Sequence, residues 1–409
     1  MALDKNFKPV LRFMVVSDIH IKDNEDCVER ERFAQAIQQA YKIAESSDSY
    51  KKLDALYVVG DFANCGSEIQ MRAAKKIIDE NIRPETLVRL TMASHEWHDE
   101  NGEAGARERF AKIFNLPCDT HEVINGFHFI AVTTTRGCDF DEPQQTFSRT
   151  ALKAAAADDP KKPIFFFQHP HLSDTVYGSI NWGEDALISI LMNYPQVIDF
   201  SGHSHAPIND PRSIHQKYFT SLGTGTLSYF ELDEFDRVYG TIPPDKAQAA
   251  QMLIVETDAD NRVRIYPYDV LTDNFFPQVH KIDVPSDPST FLYTDARYKT
   301  LNVPAFDADA ALTVEAGTTD AKLTFPQAKP DADSDYVNGY VIVLRYESGI
   351  IAKQVGIWSE YYFYNMPDTL TQVIDDLEPD TAYSVEIYPE GFFKNRSKKA
   401  LTGKFRTKA

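Results

Sequence analysis

Residues 11–20 read Leu-Arg-Phe-Met-Val-Val-Ser-Asp-Ile-His, and the change of character within this stretch decides the fold. The run from Phe13 to Val16 is uniformly apolar and short, as expected of a strand buried on both faces, so residues 12–17 are read as a strand. It gives way abruptly to Asp18 and His20. In extended chain, side chains at i and i+2 point the same way, so these two can face one spot. Four more short apolar runs end alike. Residues 55–60 lead into Gly60-Asp61, and 87–92 into Ser94-His95-Glu96. Residues 163–167 lead into His169-Pro170-His171, and 197–201 into Gly202-His203-Ser204-His205.

Helical spacing fills the gaps between these runs. Phe33, Ile37, Ala40, Tyr41 and Ala44 recur at helical intervals across residues 28–45. Ser67 is placed to cap a helix over 68–81, and further helices are expected over 106–114, 149–157 and 184–193. Residues 127–133 add one more strand. Strands alternating with helices predict an α/β fold, a layered β-sandwich flanked by helices. Strand-like runs at 218–226, 249–257 and 263–269 extend its sheets, the last two joined by a turn at 258–261. A linker is expected over 274–300. Beyond it only short strands separated by Pro, Asp and Gly are found, which predicts a small all-β sandwich. The expected domains are therefore 1–300 and 301–409.

The 409 residues are 43% apolar and 12% aromatic, ample for more than one core. A net charge of −19 opposes a phosphate backbone, which argues against general nucleic-acid binding and disfavours a nuclease reading. Mean hydropathy is −0.37, and no apolar run approaches the roughly 20 residues that span a bilayer, so no membrane partner is expected. The apolar run 13–16 is too short for a signal-peptide core. The sequence as written reads as cytoplasmic, and a secreted protein whose export signal has been removed would read the same way. Cys27, Cys65, Cys118 and Cys138 show no C-x-x-C spacing, so free thiols are expected rather than disulfides or structural zinc.

Carboxylates and imidazoles are the ligands of hard and borderline metals. Loops after parallel strands gather at one sheet edge, where α/β folds place their sites. Taken in order, the five strand ends resemble the signature of the calcineurin-like metallophosphoesterases: D-x-H, G-D, G-N-H-D/E, H and G-H-x-H. The resemblance covers residues 10–270. It implies hydrolysis of a phosphoester, with a phosphodiester favoured, by two divalent metal ions, Mn, Fe or Zn. It implies that Asp18, His20 and His205 hold the first ion and His169 and His203 the second, with Asp61 bridging. His169 is preferred to Gln168 because it directly follows its strand. His95 would assist the leaving group.

Two positions depart from that pattern. Ala93-Ser94 stands where the family has Gly-Asn, and the shorter serine falls about an ångström short of the asparagine ligand. Ser94 is thus an uncertain ligand, and the second metal is expected to be weak. A degenerate domain acting as a binding protein is the alternative reading. Asn64 stands where relatives carry an aspartate or an iron-binding tyrosine, and is expected to orient His95 without adding charge. Cys65 replaces the arginine of the protein phosphatases. His171, with Tyr177, Asn181 and Trp182, is the candidate substrate wall. His121, His128, His215 and His280 fit no motif and are read as structural. The stretch Leu377-Glu378-Pro379-Asp380-Thr381-Ala382-Tyr383-Ser384-Val385 resembles the corner of a fibronectin type III domain. No partner of that domain can be read from the sequence.

Overall fold

A computed structural model describes residues 3–99, 102–232, 243, 249–299, 303–330 and 336–409. The chain divides into two compact units. One takes in the described residues up to Leu232 and 249–295, and the other those from Ala296 to Ala409.

In the first unit the strands in chain order are β1 (Pro9–Val16), β2 (Ala55–Val59), β3 (Leu87–Thr91), β4 (Thr120–Ile124) and β5 (Phe127–Ala131). They continue with β6 (Ile164–Phe167), β7 (His171–Leu172), β8 (Gly183–Glu184), β9 (Val197–Ser201), β10 (Ile214–Gln216) and β11 (Thr220–Gly223). Last come β12 (Gln251–Asp258), β13 (Val263–Asp269), β14 (Asn274–Phe275) and β15 (His280–Ile282). The main helices are α1 (Val28–Ser46), α2 (Glu68–Asn81), α3 (Gly102–Phe114) and α4 (Glu142–Asp158). Two sheets form, ordered β14-β13-β12-β1-β2-β3, with β15 also on β13, and β10-β11-β9-β6-β5-β4. β1, β2 and β3 are parallel neighbours, as are β5, β6, β9 and β11.

The faces that meet between the sheets are apolar. Phe13, Tyr57, Phe129, Phe165, Phe167 and Phe200 fill the gap, with Phe13 and Phe165 edge to face at 4.8 Å and Tyr57 stacked on Phe167 at 3.9 Å. On the outer face of the first sheet, Phe33, Ile37, Ala74 and Phe110 bring α1, α2 and α3 against Met14, Val16, Leu56 and Val58. On the other side Ala151, Leu152 and Ala155 of α4 cover Ile130, Ile164 and Phe166. The alternation along each strand thus sends one side chain to the helices and the next to the sheet gap. Arg12 and Glu256, both buried, pair across β1 and β12, with Arg12 Nε donating to Glu256 Oε1 at 2.8 Å.

Three expectations about elements are corrected. The helix expected over 184–193 is a single turn, Ile188–Leu191, because β8 pairs with β7 and ties down the backbone at Glu184. α4 begins at Glu142, seven residues before the expected start, with Pro143 in its first turn. The expected linker opens with β14 and β15, both paired to β13.

The second unit holds β16 (Thr313–Ala316), β17 (Ala321–Pro326), β18 (Gly339–Tyr346), β19 (Ile351–Trp358), β20 (Thr369–Ile374), β21 (Ala382–Glu390) and β22 (Leu401–Arg406). They form two antiparallel sheets, β16-β17-β20 and β19-β18-β21-β22. One core of Leu323, Phe325, Tyr340, Ile342, Leu370, Val385 and Ile387 lies between them. The Tyr383 hydroxyl accepts a hydrogen bond from the Glu378 N–H at 2.9 Å, which pins the corner before β21. Among the described residues no helix is long and apolar enough to cross a membrane.

Candidate metal centre

Each expected ligand sits just past the carboxyl end of a parallel strand. β1 leads to Asp18 and His20, β2 to Asp61, and β3 to Ser94 and His95. In the facing sheet β6 leads to His169, and β9 to His203 and His205. The structure gathers them into three overlapping clusters: Asp18 with His20 and His205; His20 with Asp61 and His95; Asp61 with His169 and His203.

The backbone at this edge is bent in an uncommon way. Asp18, His20, Asp61, His203 and His205 all lie in the left-handed region, with φ of 50, 54, 50, 73 and 52°. Each such non-glycine residue costs on the order of 1–3 kcal/mol and persists only where its surroundings over-determine it. Here they do. The Asp18 N–H donates to Gly60 O at 3.2 Å and His20 N–H to Asp61 O at 3.0 Å. Gly202 N–H donates to His169 O at 2.9 Å, and His203 N–H to Asp18 Oδ2 at 3.1 Å. Two glycines make room. A Cβ on Gly60, itself at φ 75°, would lie 2.5 Å from His169 Nδ1, and one on Gly202 would lie 2.4 Å from Asp18 Oδ2. Glu96, fully buried, accepts from the backbone N–H groups of Asp61, Ala63 and Ala93 at 2.8–3.0 Å and so ties the second and third strand ends together. Burial, then the nearby Asp61 charge, pushes its carboxyl up to about 8.

The donor set fits divalent metal. His20 Nε2 and His205 Nε2 are 3.0 Å apart and both face Asp18, with His205 Nε2 3.2 Å from Asp18 Oδ1. His169 Nε2 is buried, makes no hydrogen bond, and lies 3.0 Å from Asp61 Oδ2. The outer nitrogens of two of these rings are engaged: His169 Nδ1 with Val59 O at 2.7 Å and His205 Nδ1 with Tyr229 O at 2.8 Å. Such outer partners fix the tautomer that leaves the other nitrogen for a metal. Burial alone would raise the Asp18 and Asp61 carboxyls. The imidazoles outweigh it, so His205 and His169 hold Asp18 well below its ordinary value and His169 does the same for Asp61. In return, burial lowers His169, but Asp61 and Asp18 outweigh it and lift the ring to about 10. His205 is raised, its burial outweighed by Asp18. Burial and neighbouring rings bring His20 down to about 3 and His203 to about 4.

The residues outside the six fall differently. The His95 N–H donates to Asp61 Oδ1 at 3.0 Å, and its ring lies 4.4 Å from His20. The Asn64 expectation is corrected: His95 Nδ1 is met at 2.7 Å by the main-chain carbonyl of Asn64, so that side chain is not the group that orients the ring. His171 is corrected as a substrate residue. It is 1% exposed, with one ring nitrogen on Ser201 Oγ at 2.8 Å and the other on Ser204 Oγ at 2.6 Å. Ser94 Oγ donates to Asp61 Oδ2 at 3.2 Å. Trp182 stands edge to face with His203 at 4.7 Å, whereas Tyr177 packs under Arg212. Two neighbours had no sequence signal. Tyr229 packs on His205 at 4.3 Å, and Cys138 Sγ lies 3.4 Å from His203 Nε2.

Two carboxylates and four imidazoles at the meeting edge of two sheets make a site fit for divalent metal. The family model for calcineurin-like phosphoesterases matches residues 11–207, and this part of the chain is a domain of that family. Among solved structures, the chain is similar to a purple acid phosphatase from seeds of yellow lupin (Lupinus luteus), at 15% identity and a TM-score of 0.48. That match covers 68% of this chain and 54% of the lupin chain, so the chain spans about half of that protein's length. It is also similar to PhoD, at 11% identity and a TM-score of 0.41, over 67% of this chain and 68% of the other. A search of the curated proteins finds no match.

Proposed function

We propose that the chain hydrolyses a phosphodiester at a dinuclear centre of divalent Mn, Fe or Zn. Asp18, His20 and His205 would hold the first ion and His169 and His203 the second, with Asp61 available to both and Ser94 beside it. The observation that carries this reading is the gathering of those six donors into overlapping clusters. When bound, the ions supply Lewis-acid polarisation of phosphoryl oxygens and lower the pKa of water. The chain's own part is positional. Glu96 fixes the loops that carry Asp61 and Ser94. His95 gives its Nδ1 hydrogen to Asn64 O, so Nε2 can pass a proton to the departing oxygen when the ring carries hydrogen on both nitrogens. A diester is favoured over a monoester because Cys65 stands where the protein phosphatases carry arginine. The described strands from Ala296 onward are read as a fibronectin type III-like domain that adds no ligand.

The alternative, a binding protein built on a degenerate phosphoesterase domain, draws on Ser94, whose hydroxyl is spent on Asp61. One experiment separates the two. After Mn loading, the wild-type chain is expected to hold metal by elemental analysis and to cleave a chromogenic phosphodiester faster than the corresponding monoester. Asp61→Ala should lose both metal and activity. A wild-type chain that binds no metal, or binds it and cleaves nothing, would defeat the hydrolase reading.

A further inference from the structure

The ring of His203 is engaged differently from those of His169 and His205. Theirs offer Nδ1 to a backbone carbonyl and keep Nε2 inward. That of His203 has Nε2 against the sulfur of Cys138, at 3.4 Å. The sulfur is held in place. Thr135 N–H donates to Asp139 O and Asp139 N–H to Arg136 O, both at 2.8 Å, and Thr134 Oγ1 donates to Gly137 O at 2.9 Å, closing a tight turn around residue 138. Trp182 packs against the same imidazole edge to face. Ser94, on the loop after β3, donates its hydroxyl to Asp61 Oδ2 at 3.2 Å. Among the described residues, the clusters of carboxylates and imidazoles do not include Cys138. It stands behind His203 and is not one of the gathered donors.

With the sulfur as acceptor, His203 Nε2 carries the ring's hydrogen and Nδ1 is left bare. We propose that Cys138 is a positioning residue for the second metal. Its sulfur holds His203 in the tautomer with hydrogen on Nε2, which leaves Nδ1 as the nitrogen for the ion. This rests on the two-metal reading above.

Zn²⁺-loaded chain labelled with ¹⁵N-histidine tests the tautomer directly. Long-range proton–nitrogen correlations are expected to show His203 with hydrogen on Nε2 and metal on Nδ1. Metal on Nε2 would overturn the proposal. Co²⁺-loaded wild type should show d–d bands without a near-ultraviolet thiolate-to-cobalt band, and such a band would make Cys138 a ligand and overturn the positioning role. Cys138→Ala should weaken the second ion by about 10–100-fold, the range for lost outer partners, and leave the first in place. Cys138→Ser should recover most of that loss, since a hydroxyl both accepts and donates. Unchanged affinity in Cys138→Ala would overturn the proposal. A wild-type chain that binds only one ion would bring down the two-metal reading itself, an outcome visible without any variant.

Discussion

Ser94 places a hydroxyl where an amide would reach further, and the structure shows what that hydroxyl does: it donates to Asp61 Oδ2 at 3.2 Å. A neutral hydroxyl is a poor ligand, so the second ion should be held more weakly than the first. Ser94→Asn is expected to tighten the weaker of two Mn²⁺ binding steps by about 10–100-fold, or roughly 1.4–2.8 kcal/mol. Titration calorimetry measures the binding, and diesterase rate at limiting Mn²⁺ should rise with it. At saturating metal the two proteins should converge, because occupancy no longer limits the rate. Equal affinities would show that the hydroxyl, with the groups around it, serves as well as the amide. At this scale the sequence was informative wherever strand end, residue type and order coincided, as at Asp18, His20, Asp61, His203 and His205. His171 was named only for its place on the segment after His169, and that place does not reveal that its two ring nitrogens face Ser201 and Ser204. Asn64 shows a second limit, since a sequence does not tell a side-chain contact from one made by the same residue's carbonyl. Cys138 shows a third: residues 138 and 203 follow β5 and β9, which share a sheet with β6 between them, and local sequence does not give that order.

Among the elements, β9 carries a burden unrelated to metal. Asp199 lies fully buried in its middle, with Gln168 Nε2 donating to it at 3.2 Å. Burial pushes its carboxyl up to about 8, and the single hydrogen bond offsets only part of that. The folded chain therefore keeps a proton that the unfolded chain releases above its ordinary value of 3.8. Between these values the native state binds more protons than the unfolded one, so stability falls as pH rises, by up to about 1.4 kcal/mol per unit. Asp199→Asn, neutral at every pH, should raise the melting temperature more at pH 8 than at pH 5, because the wild-type penalty grows across that interval. Thermal denaturation across that range checks it, and a parallel shift at both pH values would refute the account. Strongly periodic elements were legible in advance. The helix over 68–81 has the expected bounds, and Ser67 accepts from Gln70 N–H at its start. Very short strands were not. β8, β14 and β15 span two or three residues each, too short for an apolar period, and are defined only by their pairing with β7 or β13.

For the molecule as a whole, every proposed ligand belongs to the first unit, while the second is a two-sheet β structure with its own core. A chain ending at residue 300 is therefore expected to bind the same amount of metal as the full chain, measured by elemental analysis after Mn²⁺ loading. A folded truncated chain without metal would show that the second unit completes the site. The alternation of strands and helices made the layered plan readable from sequence. The partition of strands between two sheets was not, because β1, β2 and β3 differ from β5, β6 and β9 in neither length nor composition in any way that says which sheet they join. That partition has a consequence of its own. Asp18, His20 and Asp61 ride on one sheet, and His169, His203 and His205 on the other. The proposed ions would be gripped between two jaws whose opening is set by a slab of packed aromatic rings, Phe13 and Phe165 among them. The thickness of that slab works like a gauge block in a calliper: rings far from any ligand fix the width of the grip, and with it the size of ion the edge can hold.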